Sequence, residues 1–410
     1  MLTEPQPPRH TFFDLVLLLE FGSSAVRLRD LTIENYRSFE KYKLDDLARV
    51  NLLVGDNNCG KTSVLESAYL LAANGSPNSI WTLLQSRGEI SFVYEGVNQA
   101  DPVFAVRVPE LFRGTTIAGK QLPRIAIRAG DFGEVRLSLG SRSEVDSERQ
   151  RDRADFPDHS HHLKSGTGML NGEEGCLFYA RFIGSDQCAV TFQHLTNEGN
   201  MRRKTPTATV LDGVGAYYRM PDPIAEFMPT ANASAETLKA DWVRVLQNQR
   251  DGDVIKALRV ALPMVNEILV LPTPMSPPQA RSHIIIRTNG TNAPISRLGE
   301  GVNRLLTLGM SLANSAGGFL FVDEIDTGLH HSRLSDMWRM IIKTAANLDI
   351  QVFTTTHSLD CIRGLAAACD EDSSLHDQVA LFSIDRRMDE AVRFAGDEVS
   401  VVVDHEIEVR

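Results

Sequence analysis

Eight consecutive residues, Gly55-Asp56-Asn57-Asn58-Cys59-Gly60-Lys61-Thr62, carry the spacing G-x-x-x-x-G-K-[ST]. The chemistry this spacing serves is the wrapping of a polyphosphate. Its glycines let the backbone curl until successive N–H groups point inward at phosphate oxygens. Gly55, Asn57, Asn58, Cys59 and Gly60 would form that cradle, with Ser63 opening the helix behind it. Lys61 would reach the β- and γ-phosphates, and the Thr62 hydroxyl would ligate Mg²⁺. Such a loop works only between a strand and a helix. Val50 to Val54 is an apolar run and Ser63 to Ala73 has a helical pattern, so both flanks are present. Chance produces the spacing in roughly 1–2% of chains this long. A phosphate loop for ATP with Mg²⁺ is the reading.

A second group of residues fits the same chemistry. Gly318 to Val322 reads as a buried strand, and it ends in two acids, Asp323 and Glu324. A carboxylate at such a strand end holds the Mg²⁺ shell in phosphate-loop enzymes, which assigns Asp323. The adjacent Glu324 is the natural group to orient or deprotonate an attacking water. A further strand pattern, Ile350 to Thr356, ends at His357, where ligands bind in parallel sheets.

These groups need elements to hold them. Arg27 to Ile33 alternates apolar and polar residues and predicts a first strand, followed through Asn35 to Phe39 by a second extended stretch. Asn74-Gly75 is placed to end the helix behind the loop in a left-handed cap. Short β runs follow, among them Phe104 to Val108 and Arg124 to Arg128. Ser141 to Gly175 is polar and aperiodic, which predicts a loop. Its His159, His161 and His162 are explained as solvated side chains rather than metal ligands. Ala235 to Gln249 and Val254 to Leu269 read as helices, stopped by Pro272, Pro274, Pro277 and Pro278. His283 to Arg287 resumes a strand, Leu298 to Phe394 alternates helix and strand, and Leu381 to Phe394 closes as a hairpin.

Composition sets bounds on function. At 410 residues with 42% hydrophobic and 23% charged content, the chain can bury a sizeable core. A formal net charge of −11 argues against nucleic-acid binding through bulk positive charge, while leaving room for a local basic groove. The five cysteines form no C-x-x-C pair, which disfavours a zinc site or a disulfide framework and points to a reduced, cytoplasmic setting. Phe12 to Phe21 is apolar but short and interrupted by Asp14 and Glu20, so no membrane span is expected.

The order of these motifs resembles the ABC-type ATPases of the RecF, SMC and OLD (overcoming-lysogenization-defect) group. It runs Asn35 to Phe39, the phosphate loop, Leu298 to Gly301, Phe321 to His330, and Thr355 to Ser358. The resemblance implies an ABC-type ATPase head, an α/β phosphate-loop fold with an antiparallel β subdomain and a helical insertion. It implies that Leu298, Gly299, Glu300 and Gly301 form the signature that meets the γ-phosphate held by a second copy. Asp326 would lie in the loop at that dimer interface, His357 would be the switch histidine, and Arg37 joins the nucleotide-binding residues. Gly299 stands where the L-S-G-G-Q signature has serine and Glu300 where it has the first glycine, which leaves helix N-terminal N–H groups to serve. Gln85 and Gln193 are the candidates for the glutamine loop.

Many OLD-type proteins carry a Toprim nuclease domain after the switch histidine. Residues 358–410 leave no room for one, so a stand-alone form is expected. The expected layout is an extension over 1–24 and an ATPase domain over 25–410. Within it lie a phosphate-loop lobe with the β subdomain (25–140), a flexible loop (141–175), an inserted β/helical subdomain (176–290) and a lobe with the signature, acids and histidine (291–410). The expected activity is ATP hydrolysis coupled to dimerisation or higher assembly, in DNA maintenance or antiphage defence. A separate effector protein and nucleic acid are the partners this setting suggests. The alternative is a slow or non-catalytic ATP-dependent scaffold that sequesters a partner. An ATPase subunit of a membrane transporter is disfavoured by the altered signature.

Overall fold

The computed structural model describes residues 27–94, 102–114, 124–130, 132–140, 177–184, 188–194, 200–203, 215–217, 224–230, 235–271, 283–288, 290 and 292–404. The extension over 1–24 and the loop over 141–175 lie outside these residues. In chain order the first part comprises β1 (Leu31–Tyr36), β2 (Phe39–Leu44), β3 (Val50–Val54), α1 (Lys61–Ala72), α2 (Pro77–Ser86), β4 (Ile90–Tyr94), β5 (Pro102–Arg107), β6 (Ile125–Ala129) and β7 (Gly133–Gly140). Next come β8 (Leu177–Ile183), β9 (Cys188–His194), β10 (Asn200–Arg203), β11 (Gly215–Tyr217), β12 (Ala225–Met228), α3 (Ala235–Gln247), α4 (Asp251–Ala261), β13 (Val265–Leu271), β14 (His283–Thr288) and β15 (Asn292–Pro294). The last part holds α5 (Glu300–Asn314), β16 (Phe319–Val322), α6 (Leu334–Asn347), β17 (Gln351–Thr355), α7 (Leu359–Glu371), β18 (Val379–Ser383), β19 (Val392–Ala395) and α8 (Val399–Asp404).

The strands that carry the motifs share one six-stranded sheet in the order β12-β16-β17-β3-β18-β19. All its neighbours pair in parallel except β18 with β19, the expected hairpin. Both faces of its central strands are covered, so β3, β16, β17 and β18 are buried at nearly every position rather than alternating. The two faces nonetheless differ. Leu52, Leu320, Val352 and Leu381 point into a core shared with α3 to α8. Leu53, Phe321, Phe353 and Phe382 point into a second core with α1, α2 and the antiparallel sheet. There the Phe321 and Phe353 rings stack at 5.3 Å with an interplanar angle of 11°.

That second sheet has seven strands in the order β11-β9-β8-β7-β6-β1-β2, antiparallel at every described pairing. Helix α1 is buried along nearly its whole surface, because it packs on β16 and β17 on one side and on β1, β6 and β7 on the other. Leu65, Ala68, Leu71 and Ala72 fill the space between the sheets, and the one buried charge, Glu66, is paired there with Arg37 and Arg87. The helix therefore fixes the phosphate loop between two sheets. Two three-stranded sheets, β10-β5-β4 and β13-β14-β15, complete the described strands.

Three boundaries differ from the sequence reading. The helix expected over Val254 to Leu269 ends at Ala261, and β13 begins at Val265. Pro263 supplies the reason: it lacks an N–H and biases the preceding residue away from helical geometry, and Leu262 sits at φ −133, ψ 77. Arg27 to Asp30 lies outside β1, because Gln351 takes the place of a strand partner. Its side chain accepts the Leu28 N–H at 2.9 Å and donates to the Leu28 carbonyl at 2.8 Å. Third, the strands within 176–290 do not stand as a unit of their own. β8, β9 and β11 extend the antiparallel sheet of the first lobe, and β12 joins the parallel sheet beside β16. Among the described residues no helix is long and apolar enough to cross a membrane.

Candidate functional site

The phosphate loop joins β3 to α1 and depends on three left-handed residues, Gly55 (φ 143), Asn58 (φ 63) and Gly60 (φ 109). A Cβ at Gly55 would lie 2.5 Å from the Ile384 carbonyl oxygen, and one at Gly60 would lie 2.4 Å from the Phe39 ring. No larger residue fits either position. Lys61 arches back over the loop and donates to the carbonyl oxygens of Gly55 at 2.7 Å and Asp56 at 2.8 Å. Asn57 and Asn58 are exposed at the rim, while Cys59 and Ser63 are buried. Burial pushes the Cys59 thiol up from its ordinary range against the pull of Lys61, so it packs as a small apolar group.

The strand-end acids meet this loop. Thr62 donates its hydroxyl to Asp323 Oδ1 at 3.1 Å, which closes a gap of 261 residues in sequence. Thr355, at the end of β17, donates to the same oxygen at 2.7 Å and accepts the Glu324 N–H at 2.8 Å. Thr230 donates to Asp323 Oδ2 at 3.2 Å. Hydroxyl and carboxylate oxygens are the hard donors that Mg²⁺ selects, so Thr62 and Asp323 fit that ion. Glu324 adopts φ 48, a left-handed conformation unusual for a non-glycine residue. The turn brings Glu324 Oε1 to 3.6 Å from His357 Nδ1, with both side chains partly exposed. Asp326 is held by the Thr356 hydroxyl at 2.6 Å.

The segment Leu298 to Gly301 opens α5, with Gly299 as its N-cap at φ 86, ψ 166. It sits against the turn after the acids. A Cβ on Gly301 would be 3.5 Å from the Gly328 carbonyl oxygen, and a Cβ on Gly328 would be 3.1 Å from Glu300 Cγ. Arg304, one turn further along α5, is 1% exposed and donates to the backbone carbonyls of Glu324 at 3.0 Å and Asp323 at 3.5 Å. Burial lowers its pKa, and the carboxylates of Asp326, Asp323 and Glu324 pull the other way. Helix α5 and the turn after β16 are thus joined through one guanidinium.

Arg37 lies in a buried ionic cluster. Its Nε donates to Glu66 at 2.8 Å, and its Nη1 pairs with Glu89 at 3.1 Å. Glu66, on α1, also accepts from the Tyr36 hydroxyl at 2.9 Å and from Arg87. Burial and the Glu66 charge push the Tyr36 hydroxyl well above its ordinary pKa. The guanidinium of Arg37 is therefore committed to two carboxylates, and it fastens the β1–β2 turn to α1.

The structure brings Lys61, Thr62, Asp323, Glu324, Asp326 and His357 to the C-terminal edges of β3, β16 and β17. Of the two glutamine candidates, Gln85 accepts the Trp81 indole N–H at 3.0 Å on α2, and Gln193 lies on β9. Sequence reasoning missed Thr230, Arg304 and Glu66, and it named Thr355 within the segment Thr355 to Ser358 without giving it a role. Arg304 and Glu66 did leave a signal, as single charges inside apolar helical stretches, where a buried charge requires a partner. Thr230 left none, since a threonine near a strand end is ordinary.

Comparison with known proteins bears on the same segments. Residues 27–105 match a family described as an AAA ATPase domain. Residues 216–360 match a family of AAA domains whose description names the AbiEii toxin and a type IV TA system. The DNA replication and repair protein RecF of Staphylococcus epidermidis is 49% identical over 47 residues, 12% of this chain and 13% of that protein. The chain thus spans 13% of the length of that relative. An ATP/GTP phosphatase of Helicobacter pylori is 20% identical over 380 residues, covering 87% of this chain and 92% of the relative. Among solved structures, an SMC head bound to the C-winged helix domain of ScpA is 11% identical with a TM-score of 0.44, over 90% of this chain and 99% of that one.

Proposed function

We propose that this chain, an ABC-type ATPase of the RecF/SMC-like kind, binds ATP with Mg²⁺ at Gly55 to Ser63, hydrolyses it with Asp323 and Glu324, and pairs with a second copy when the nucleotide is bound. The observation that carries this reading is the 3.1 Å hydrogen bond from Thr62 to Asp323. It joins the phosphate loop to the strand-end acids across a single hydroxyl.

The residues divide the work. The N–H groups from Gly55 to Thr62 cradle the phosphates, and Lys61 exchanges its two carbonyl partners for phosphate oxygens. Thr62 and Asp323 would hold Mg²⁺, which when bound neutralises charge on the β- and γ-phosphates. Glu324, turned out of the strand by its left-handed backbone, accepts a proton from the attacking water or aligns it. His357, 3.6 Å from that carboxylate, holds it toward the γ-phosphate. Arg37 contributes by fastening α1 rather than by touching the nucleotide.

Leu298 to Gly301 offers its helix N-terminus to the phosphate held by the second copy, with Asp326 beside the junction. The setting we propose is DNA maintenance or antiphage defence with a separate effector protein; the RecF relatives, named for DNA replication and repair, support the first. Phosphate release from ATP tests the reading. The purified chain with Mg²⁺ should release phosphate steadily, and Asp323→Ala or chelation of the metal should stop it. Equal release by wild type and Asp323→Ala would overturn the assignment.

A further inference from the structure

Asp323 is held by three hydroxyls that come from three separate segments. Thr62 follows the phosphate loop, Thr355 ends β17, and Thr230 lies two residues beyond β12. Two of them are accounted for. Thr62 belongs to the phosphate motif, and Thr355 ties β17 to the catalytic turn through the Glu324 N–H. Thr230 belongs to no motif that the sequence displays.

Its position follows from the sheet. β12 pairs in parallel with β16, Met228 opposite Val322, and the Asp323 N–H donates to the Met228 carbonyl at 2.9 Å. The chain leaving β12 must therefore run beside the chain leaving β16. That register sets the Thr230 hydroxyl 3.2 Å from Oδ2, the oxygen that Thr62 and Thr355 do not use. With one oxygen held from each side, the carboxylate plane cannot rotate freely about its Cβ–Cγ bond. Removing the Oδ2 contact frees that rotation, and Oδ1 then faces Thr62 for only part of the time.

We propose that Thr230 is a positioning residue for the metal: by fixing the Asp323 carboxylate plane it sets the Mg²⁺ affinity of the nucleotide-bound protein. This rests on the phosphate-loop and Asp323 assignments above. Partners of a metal ligand typically contribute ~10–100-fold to metal affinity, and a threonine hydroxyl can do so without contacting nucleotide.

The test needs no turnover. A fluorescent ATP analogue is titrated onto the full chain in chelator, and then Mg²⁺ is added back in steps. Thr230→Val keeps the side-chain shape and removes the hydroxyl. It should raise the half-saturating Mg²⁺ concentration by about 10–100-fold while leaving the affinity in chelator unchanged. Thr230→Ser should restore the wild-type Mg²⁺ curve, which a merely structural role for the side chain would not require. Thermal melting checks that the variants are folded, and Thr230→Ala gives a second removal should valine disturb β12. Wild-type Mg²⁺ dependence in a folded Val or Ala variant overturns the proposal and leaves the nucleotide site intact. Equal weakening with and without Mg²⁺ also overturns it, because the effect is then not on the metal. Failure of the wild type to bind the analogue, or binding unchanged in Lys61→Ala, sinks the underlying site assignment and this proposal together.

Discussion

Two helices in this molecule begin with glycines and point backbone N–H groups outward, yet their surroundings are opposites. At the start of α1 the loop is closed in by its own chain: an added Cβ at Gly60 would strike Phe39 at 2.4 Å, and one at Gly55 would strike Ile384 at 2.5 Å. At the start of α5 an added Cβ on Gly299 meets no described atom within 4 Å, and one on Gly301 makes only ordinary contacts at 3.5 Å. The first helix start also has Lys61, Thr62 and Asp323 gathered around it. The second has Glu300 in its first turn and no basic side chain there. On the function proposed above, the first terminus would take phosphate with groups already in place, whereas the second would do so only when another surface brings the phosphate.

The largest effect expected from breaking this contrast is on chemistry at the first terminus. Glu324→Gln keeps the side-chain shape but cannot accept a proton, so turnover should fall by ~10²–10⁴-fold with ATP affinity retained. Phosphate release measured beside equilibrium binding checks this, and unchanged turnover would take Glu324 out of its role. Lys61→Ala comes next. Losing a charged hydrogen-bond donor costs about 1.5–3 kcal/mol, or roughly 10–100-fold in ATP affinity by calorimetric titration. The smallest effects compare the two termini directly. Gly60→Ala forces a side chain into a left-handed backbone against an aromatic ring and should lower stability by ~1–3 kcal/mol. Gly301→Ala meets no such obstacle and should stay within about 0.5 kcal/mol. Equal melting shifts for the pair would erase the contrast.

The closed terminus was also the more legible one. The spacing Gly55 to Thr62 and the acids Asp323 and Glu324 declare themselves because their chemistry fixes residue type and order. The strand Val50–Val54 was readable too, since a strand covered on both faces is mostly apolar, here at every position but Asn51. The limits of legibility are equally physical. β12 went unread because four residues carry no period, and only its pairing with β16 makes Ala225–Met228 a strand. Arg37 was expected at the nucleotide, but its partners Glu66 and Glu89 lie 29 and 52 residues away, a pairing no local pattern encodes. Thr230 escaped for the same reason: its meaning lies wholly in the neighbouring strand.

If the start of α5 serves a phosphate bound by a second copy, the mass of the assembly in solution must depend on nucleotide. Glu324→Gln holds ATP without consuming it, so light scattering with Mg-ATP should show that protein at twice or more the mass of a single chain, and at single-chain mass without nucleotide. Adding Gly301→Arg, which places a long side chain at the start of α5, should return it to single-chain mass while it still binds ATP. A Glu324→Gln protein saturated with Mg-ATP that remains a single chain would contradict the account.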